Sequence, residues 1–211
     1  MSFDRFSERI RSVEELAPLA GTPSELAIRK ELKSLDGHMR RFIAQSPFVI
    51  LSTHSKDGRC DSSPRGDAPG FVQVVDDQTL LIPDRLGNKR FDSFRNILET
   101  GRIGLLFLIP GVGETLRVNG RAILIRDESW LNPLTAQGKR PLLAAAVEIE
   151  ECYLQCAKAL IRSRLWEPHA RPDENQLSSA AEMFRDHARI PEYDVAKLQT
   201  LLDEAYEKKL Y

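Results

Sequence analysis

Between residues 48 and 150 the sequence is cut by turn signals into short apolar or β-branched runs, and this rhythm constrains the fold more than any other feature. Residues 48–53 are followed by Lys56-Asp57-Gly58-Arg59, whose Asp-Gly pair predicts a tight hairpin returning along residues 60–65. Residues 70–75, a turn at Asp76-Asp77-Gln78 and residues 79–83 read as a second hairpin. Residues 102–109 are apolar on both parities, as a strand covered on both faces should be, and Pro110-Gly111-Val112-Gly113 turns the chain back. The returning strand, residues 115–126, sets Leu116, Val118, Gly120, Ala122 and Leu124 on one face. Thr115, Arg117, Asn119, Arg121 and Ile123 fall on the other. A last strand is expected over about residues 144–150. Such a series predicts a mainly β fold with α additions: a small antiparallel, Greek-key-like barrel of six strands.

The flanks read as helical. Thr22-Pro23-Ser24-Glu25 predicts a helix start with Thr22 as N-cap, Pro23 at the first position and Glu25 closing a capping box, the helix running to about Leu35. Asp36 is expected to cap a second helix with Met39, Phe42 and Ile43 on its apolar face, stopped by Pro47. Between the fourth and fifth runs, Phe91, Phe94, Ile97 and Leu98 share a helical face, and Gly101 stands where a left-handed C-cap belongs. Residues 152–162 are expected to form a helix with exposed bases, and residues 175–211 a helical tail broken near Pro191. Residues 167–175 have a linker's composition, but the tail beyond them is too short for a second domain. One domain over 1–211 is expected: a helical lead-in (1–46), the barrel (47–151) and a helical C-terminal part (152–211).

Composition excludes several classes. A formal net charge of −1 provides no global field for nucleic acid, so an anion site must come from local clusters of Lys and Arg. No apolar run approaches the ~18 residues that span a bilayer. The charged start Met1-Ser2-Phe3-Asp4-Arg5 is not followed by an apolar signal segment, so a cytoplasmic protein with no membrane partner is expected. Cys60, Cys152 and Cys156 are an odd set without neighbouring ligands for zinc; we read them as reduced and mostly structural, and expect no metal.

Three clusters could carry chemistry. Pro83-Asp84-Arg85-Leu86-Gly87-Asn88-Lys89-Arg90 joins a strand end to a turn and a helix start. There the unpaired N–H groups and macrodipole of the helix favour a phosphate that Lys89 and Arg90 can bind, although a solvated basic turn fits the same residues. In Asp61-Ser62-Ser63-Pro64-Arg65-Gly66-Asp67, Pro64 and Gly66 are expected to interrupt the strand and aim Arg65 from an irregular edge, either at a ligand or merely to protect that edge. Lys158 and Arg162 lie four apart, on one helical face, ahead of Trp166. A solvated basic face explains that pair as well as a binding role does.

The order of these motifs resembles the core of pyridoxamine 5′-phosphate oxidase and its flavin mononucleotide (FMN)-binding split-barrel relatives, over about residues 47–127. Ser63-Pro64-Arg65-Gly66-Asp67, Pro83-Asp84-Arg85 with Gly87-Asn88 and Arg90, Gly113-Glu114-Thr115-Leu116-Arg117-Val118-Asn119-Gly120, and Cys156-Ala157-Lys158-Ala159 look closest to a poorly characterised bacterial flavoprotein branch. The resemblance implies a cofactor, FMN, and a site drawn from Ser63, Arg65, Pro83, Asp84, Arg85, Asn88, Lys89, Arg90, Thr115, Arg117, Lys158 and Arg162. By matched position Arg65 touches the flavin, Lys89 and Arg90 hold its phosphate, and Thr115 with Arg117 lie on the strand that a partner subunit presents to the ring. It also implies a homodimer with flavin sites at the subunit interface. The oxidase's C-terminal signature, a Trp followed by an Arg-Leu pair that holds its vitamin substrate, is replaced here by residues 156–166, so that substrate is not expected.

The leading expectation is therefore an FMN-dependent oxidoreductase acting on a small molecule, with no protein nucleophile required. A flavin-binding sensor, store or partner-binding protein without turnover is the second class. Haem binding, with His54 or His169 as axial ligand, is the third. His38, His54, His169 and His187 all fall outside the motifs and are expected at the surface rather than in catalysis.

Overall fold

A computed structural model describes residues 3–168 and 176–211. The sheet is antiparallel and has seven strands rather than six: β1 (Phe48–His54), β2 (Cys60–Gly66), β3 (Gln73–Val74), β4 (Thr79–Pro83), β5 (Arg102–Leu108), β6 (Thr115–Ile125) and β7 (Ala144–Gln155). Their order is β2-β1-β5-β6-β7-β4-β3. The end strands β2 and β3 do not pair with each other, so the sheet is mostly antiparallel but not closed. β3 is only two residues long, against the six expected.

Parity predicted β6 well: Leu116 and Val118 are fully buried, whereas Arg121 and Ile123 are exposed. At Asn119/Gly120 the β6–β7 register shifts, and a side chain on Gly120 would run into the Glu148 carbonyl. Residues 152–155 do not start a helix. They prolong β7, pairing Cys152 with Val118, Tyr153 with Arg117 and Gln155 with Thr115, because β6 is long enough to satisfy their backbone groups. The next helix, α6 (Lys158–Ser163), is correspondingly short. The expected boundary at residue 151/152 thus falls inside a strand.

The lead-in also differs. α1 (Val13–Ala20) has no counterpart among the elements expected from the sequence, and α2 is only Glu25–Arg29, capped by Ser24 rather than Thr22. It stops early because Leu32 exchanges backbone hydrogen bonds with Cys152 at 2.9 and 2.8 Å. α3 (Gly37–Gln45) starts as predicted, the Asp36 side chain accepting from the N–H groups of His38 and Met39, and buries Met39 and Ile43. α4 (Asp92–Thr100) crosses from β4 to β5 and buries Phe94 and Ile97 against β1 and β6, with Gly101 left-handed at its end. Leu98, expected on the apolar face, is 74% exposed. A four-residue turn of helix, α5 (Glu128–Leu131), precedes β7. The tail forms α7 (Ala180–Ala188) and α8 (Val195–Lys208), broken around Pro191 as expected.

Among the described residues no helix is long and apolar enough to cross a membrane, and no group of three metal-ligating side chains occurs. His38, His54 and His187 are exposed; His169, with most of the 167–175 stretch, lies outside the described residues.

Candidate functional site

The two motif clusters meet at one cavity of about 550 Å³. Its walls are β2, the residues leaving β4, the turn after them, and the first turn of α4. Ser63, Arg65, Asp84, Arg85, Asn88, Lys89 and Arg90 all line it, and Pro83 ends β4 immediately before Asp84.

Pro64 and Gly66 do not interrupt β2. Asp67 N–H donates to the Pro47 carbonyl and Ser55 N–H to the Arg59 carbonyl, which places odd-numbered residues of β2 in the hydrogen-bonded pairs. Pro64, opposite Ile50, therefore falls in a slot where its missing N–H faces away from β1, and an edge strand tolerates it. Arg65 is aimed by strand alternation, together with Asp61 and Ser63.

The Arg65 guanidinium lies 5.1 Å from the centroid of the Phe94 ring and 3.7 Å from Asp84, with only 21% of its side chain exposed. Its Nε is buried without a hydrogen-bond partner among the described residues, the kind of donor that a ligand oxygen or ring nitrogen satisfies. Burial pushes the Asp84 carboxyl above the usual carboxylate range, against the opposing pull of Arg65 and Arg85.

Arg85 faces the other way. Its Nε donates to Asp67 at 2.5 Å and its terminal nitrogen to the Leu134 carbonyl at 2.8 Å, so it braces the wall rather than reaching inward. Asp67 also accepts from the Tyr211 hydroxyl at 2.6 Å. Burial alone would raise the Asp67 carboxyl; hydrogen bonds from Tyr211, the Ala68 N–H and Arg85 outweigh it and hold the group below its ordinary value.

Lys89 and Phe91 both adopt left-handed backbone conformations, at φ 60° and 58°. Phe91 is the N-cap of α4 and no side chain among the described residues caps that helix, so the positive end of its dipole opens at the cavity wall formed by Asp92 and Ser93. The Asn88 side chain accepts from the Arg90 N–H at 3.1 Å and shapes the turn. Arg90 itself is 73% exposed and donates to Asp92 at 2.7 Å, a hydrogen bond that raises its pKa. Lys89 has no ion pair or side-chain hydrogen bond among the described residues.

Four expected site residues lie off this cavity. Thr115 is buried on β6 beside Gln155, and Arg117 donates to the Tyr153 hydroxyl at 2.9 Å. Lys158 and Arg162 are exposed on α6. Trp166 is 37% exposed and donates to the Val112 carbonyl. Conversely, the sequence reading missed Asp61, whose carboxylate accepts from Ser93 at 2.5 Å, the Phe94 ring under Arg65, and the Asp67–Tyr211 bond. Only Asp61 and Asp67 carried a signal, as acidic neighbours of Arg65 in the same motif.

The family model for pyridoxamine 5′-phosphate oxidase matches residues 35–156, more than half of the chain. The chain belongs to the pyridoxamine 5′-phosphate oxidase family. The match covers all seven strands and the cavity, and stops before α6 and the tail. Comparison with curated proteins found no match. Among solved structures the chain resembles Group A Streptococcus HupZ at 17% identity and a TM-score of 0.48, over 58% of this chain and 94% of that one. It also resembles General Stress Protein 26 from Bacillus anthracis (15% identity, TM-score 0.42, 56% and 93%). A third is an FMN-binding protein from Syntrophomonas wolfei (13%, 0.41, 55% and 86%). At these scores the family assignment rests on the family model.

Proposed function

We propose that this protein binds FMN in the cavity between β2 and the start of α4 and works as an FMN-dependent oxidoreductase on a small molecule, as a homodimer with flavin sites at the subunit interface. One observation carries the reading: Arg65, whose buried Nε has no hydrogen-bond partner among the described residues, lines the same cavity as a cationic turn and an uncapped helix start. A phosphate needs charge-assisted donors and a positive dipole; a flavin ring needs a polar partner beside apolar surface. Membership of an oxidase family supports the same ligand.

In this reading Lys89, Arg90 and the first N–H groups of α4 bind the phosphate, while Asn88 and the left-handed residues hold the turn in shape. Arg65, braced by Phe94 and Asp84, donates to the flavin; Ser63 supplies a hydroxyl beside it, and Arg85 keeps the wall rigid through Asp67. Thr115, Arg117, Lys158 and Arg162 reach the flavin from the second subunit, which accounts for their distance from the cavity of their own chain. Bound FMN supplies the hydride chemistry, and the protein supplies position and polarity.

The test is the absorption spectrum of purified protein together with mass spectrometry of the released cofactor. A flavin spectrum with FMN near one per chain is expected. Protein that neither carries nor takes up FMN overturns the reading, and a Soret band would replace it with haem.

A further inference from the structure

We infer that residues 3–29 form an arm that docks onto a second copy of this chain, seating α1 in a groove beside the root of that copy's own arm. Every residue from 3 to 29 is exposed. Phe3, Phe6, Ile10, Val13, Leu16, Leu19, Leu26 and Ile28 stand in solvent, between 45% and 77% exposed. Yet the segment is built to be helical. Ser12 and Ser24 cap α1 and α2 by accepting from the N–H groups of Glu15 and Ala27. Isolated helices shorter than about 12 residues are marginal in water, so an eight-residue α1 with an apolar face calls for a partner surface.

Three observations make that partner a second copy. First, the arm leaves the body beside the strand face that the proposed dimer gives to the other subunit. Lys30 Nζ donates to the Leu154 carbonyl at 2.8 Å and sits 5.4 Å from the centroid of the Tyr153 ring, whose hydroxyl accepts from Arg117. Second, a groove of about 420 Å³ opens at that root, where Leu32, Met39, Phe42 and Leu154 share the lining with Lys30, Asp36 and His38. Val13, Leu16 and Leu19, spaced by three along α1, suit a helix-in-groove contact there. Third, in a twofold pair each arm meets the other copy's groove, so both apolar surfaces are covered by one symmetric exchange.

The test uses the full chain. In sedimentation velocity, Leu16→Glu with Leu19→Glu should raise the dimer dissociation constant at least tenfold while far-UV circular dichroism still shows the sheet. Leu154→Glu, on the groove side, should do the same. In a Cys60→Ser/Cys156→Ser background, Leu16→Cys with Leu154→Cys should oxidise to a covalent dimer. A disulfide closed within one chain, an unchanged dissociation constant, or a wild-type chain that is monomeric at micromolar concentration overturns the inference. It shares with the proposed function the homodimer but not the flavin. Flavin-free protein whose dimer weakens supports the arm and refutes the flavin reading, whereas flavin-loaded protein whose dimer ignores the substitutions does the reverse.

Discussion

Replacing Lys89 by alanine should weaken FMN binding more than replacing Arg90, although arginine is the better partner for phosphate in general. The reason is what each gives up on binding. Arg90 already donates to Asp92 at 2.7 Å and must exchange that carboxylate for phosphate, so only a difference between two charged partners is gained. Lys89 has no such partner to lose among the described residues. A hydrogen bond to a charged group contributes about 1.5–3 kcal/mol, so Lys89→Ala should raise the FMN dissociation constant roughly 10–100-fold. Arg90→Ala should cost a few-fold. Asp92→Asn removes the competing carboxylate from the cradle and should tighten FMN a few-fold, with Arg90 released to the ligand. Riboflavin, which lacks the phosphate, should bind all three variants like the parent. Quenching of flavin fluorescence on titration with apoprotein reads every constant in one assay. Equal losses for FMN and riboflavin in Lys89→Ala would refute the phosphate cradle, and Asp92→Asn that weakens FMN would refute the exchange argument.

Other outcomes rest on the same contacts. Arg65→Gln should weaken FMN and riboflavin alike, because Arg65 serves the ring rather than the phosphate; a loss confined to FMN would move it to the phosphate side. Tyr211→Phe should shift acid unfolding to higher pH: Asp67 is held below its ordinary value, so its contribution is present above about pH 4 and is lost as pH falls through the lowered pKa, which rises once the hydroxyl is gone. Coincident acid-unfolding curves by circular dichroism would refute this. Burial pushes the Cys152 thiol up to about 11, with Asp36 and Glu151 adding to it, so iodoacetamide at pH 8 should label exposed Cys60 and Cys156 and spare Cys152, as read by peptide mass spectrometry. Gly120→Ala puts a methyl group against the Glu148 carbonyl and should destabilise by about 2 kcal/mol or more, a melting temperature lower by roughly 5 °C; an unchanged melt would show that the β6–β7 shift relaxes freely.

What could be read from the sequence was local and periodic. The parity of β6, the Asp36 cap of α3 and the left-handed Gly101 each depend on residues within a few positions of one another, and the structure reproduces them. Three of the misreadings share a cause: the deciding partner is distant in sequence. Residues 152–155 fit a helical pattern but are strand because β6, beginning at Thr115, supplies their hydrogen bonds. Pro64 reads as a break because its neighbours alone do not reveal that β2 lies at the sheet edge. α2 stops where Leu32 meets Cys152, a contact that no cap or propensity announces.

The same split runs through the site. Both basic motifs were visible because charge clusters and turn residues are local, but which carboxylate each cation pairs with was not. Arg65 faces Asp84, Arg85 faces Asp67 and Arg90 faces Asp92, which leaves Lys89 as the cation on this cavity without a carboxylate among the described residues. Two of these pairs are mostly shielded from water, with side chains between 4% and 21% exposed, whereas the Arg90 pair stands in solvent. Buried pairs of this kind fix the shape of a wall and resist being pulled apart, since separating them strands a charge in a poor solvent. An exposed pair exchanges partners at little cost. The cavity is thus rigid where Arg65 and Arg85 set its outline and adaptable where Lys89, Arg90 and the start of α4 meet solvent. That division suits a ligand with a large planar body and a mobile anionic tail better than it suits a compact anion, for which the rigid, already neutralised wall would serve no purpose.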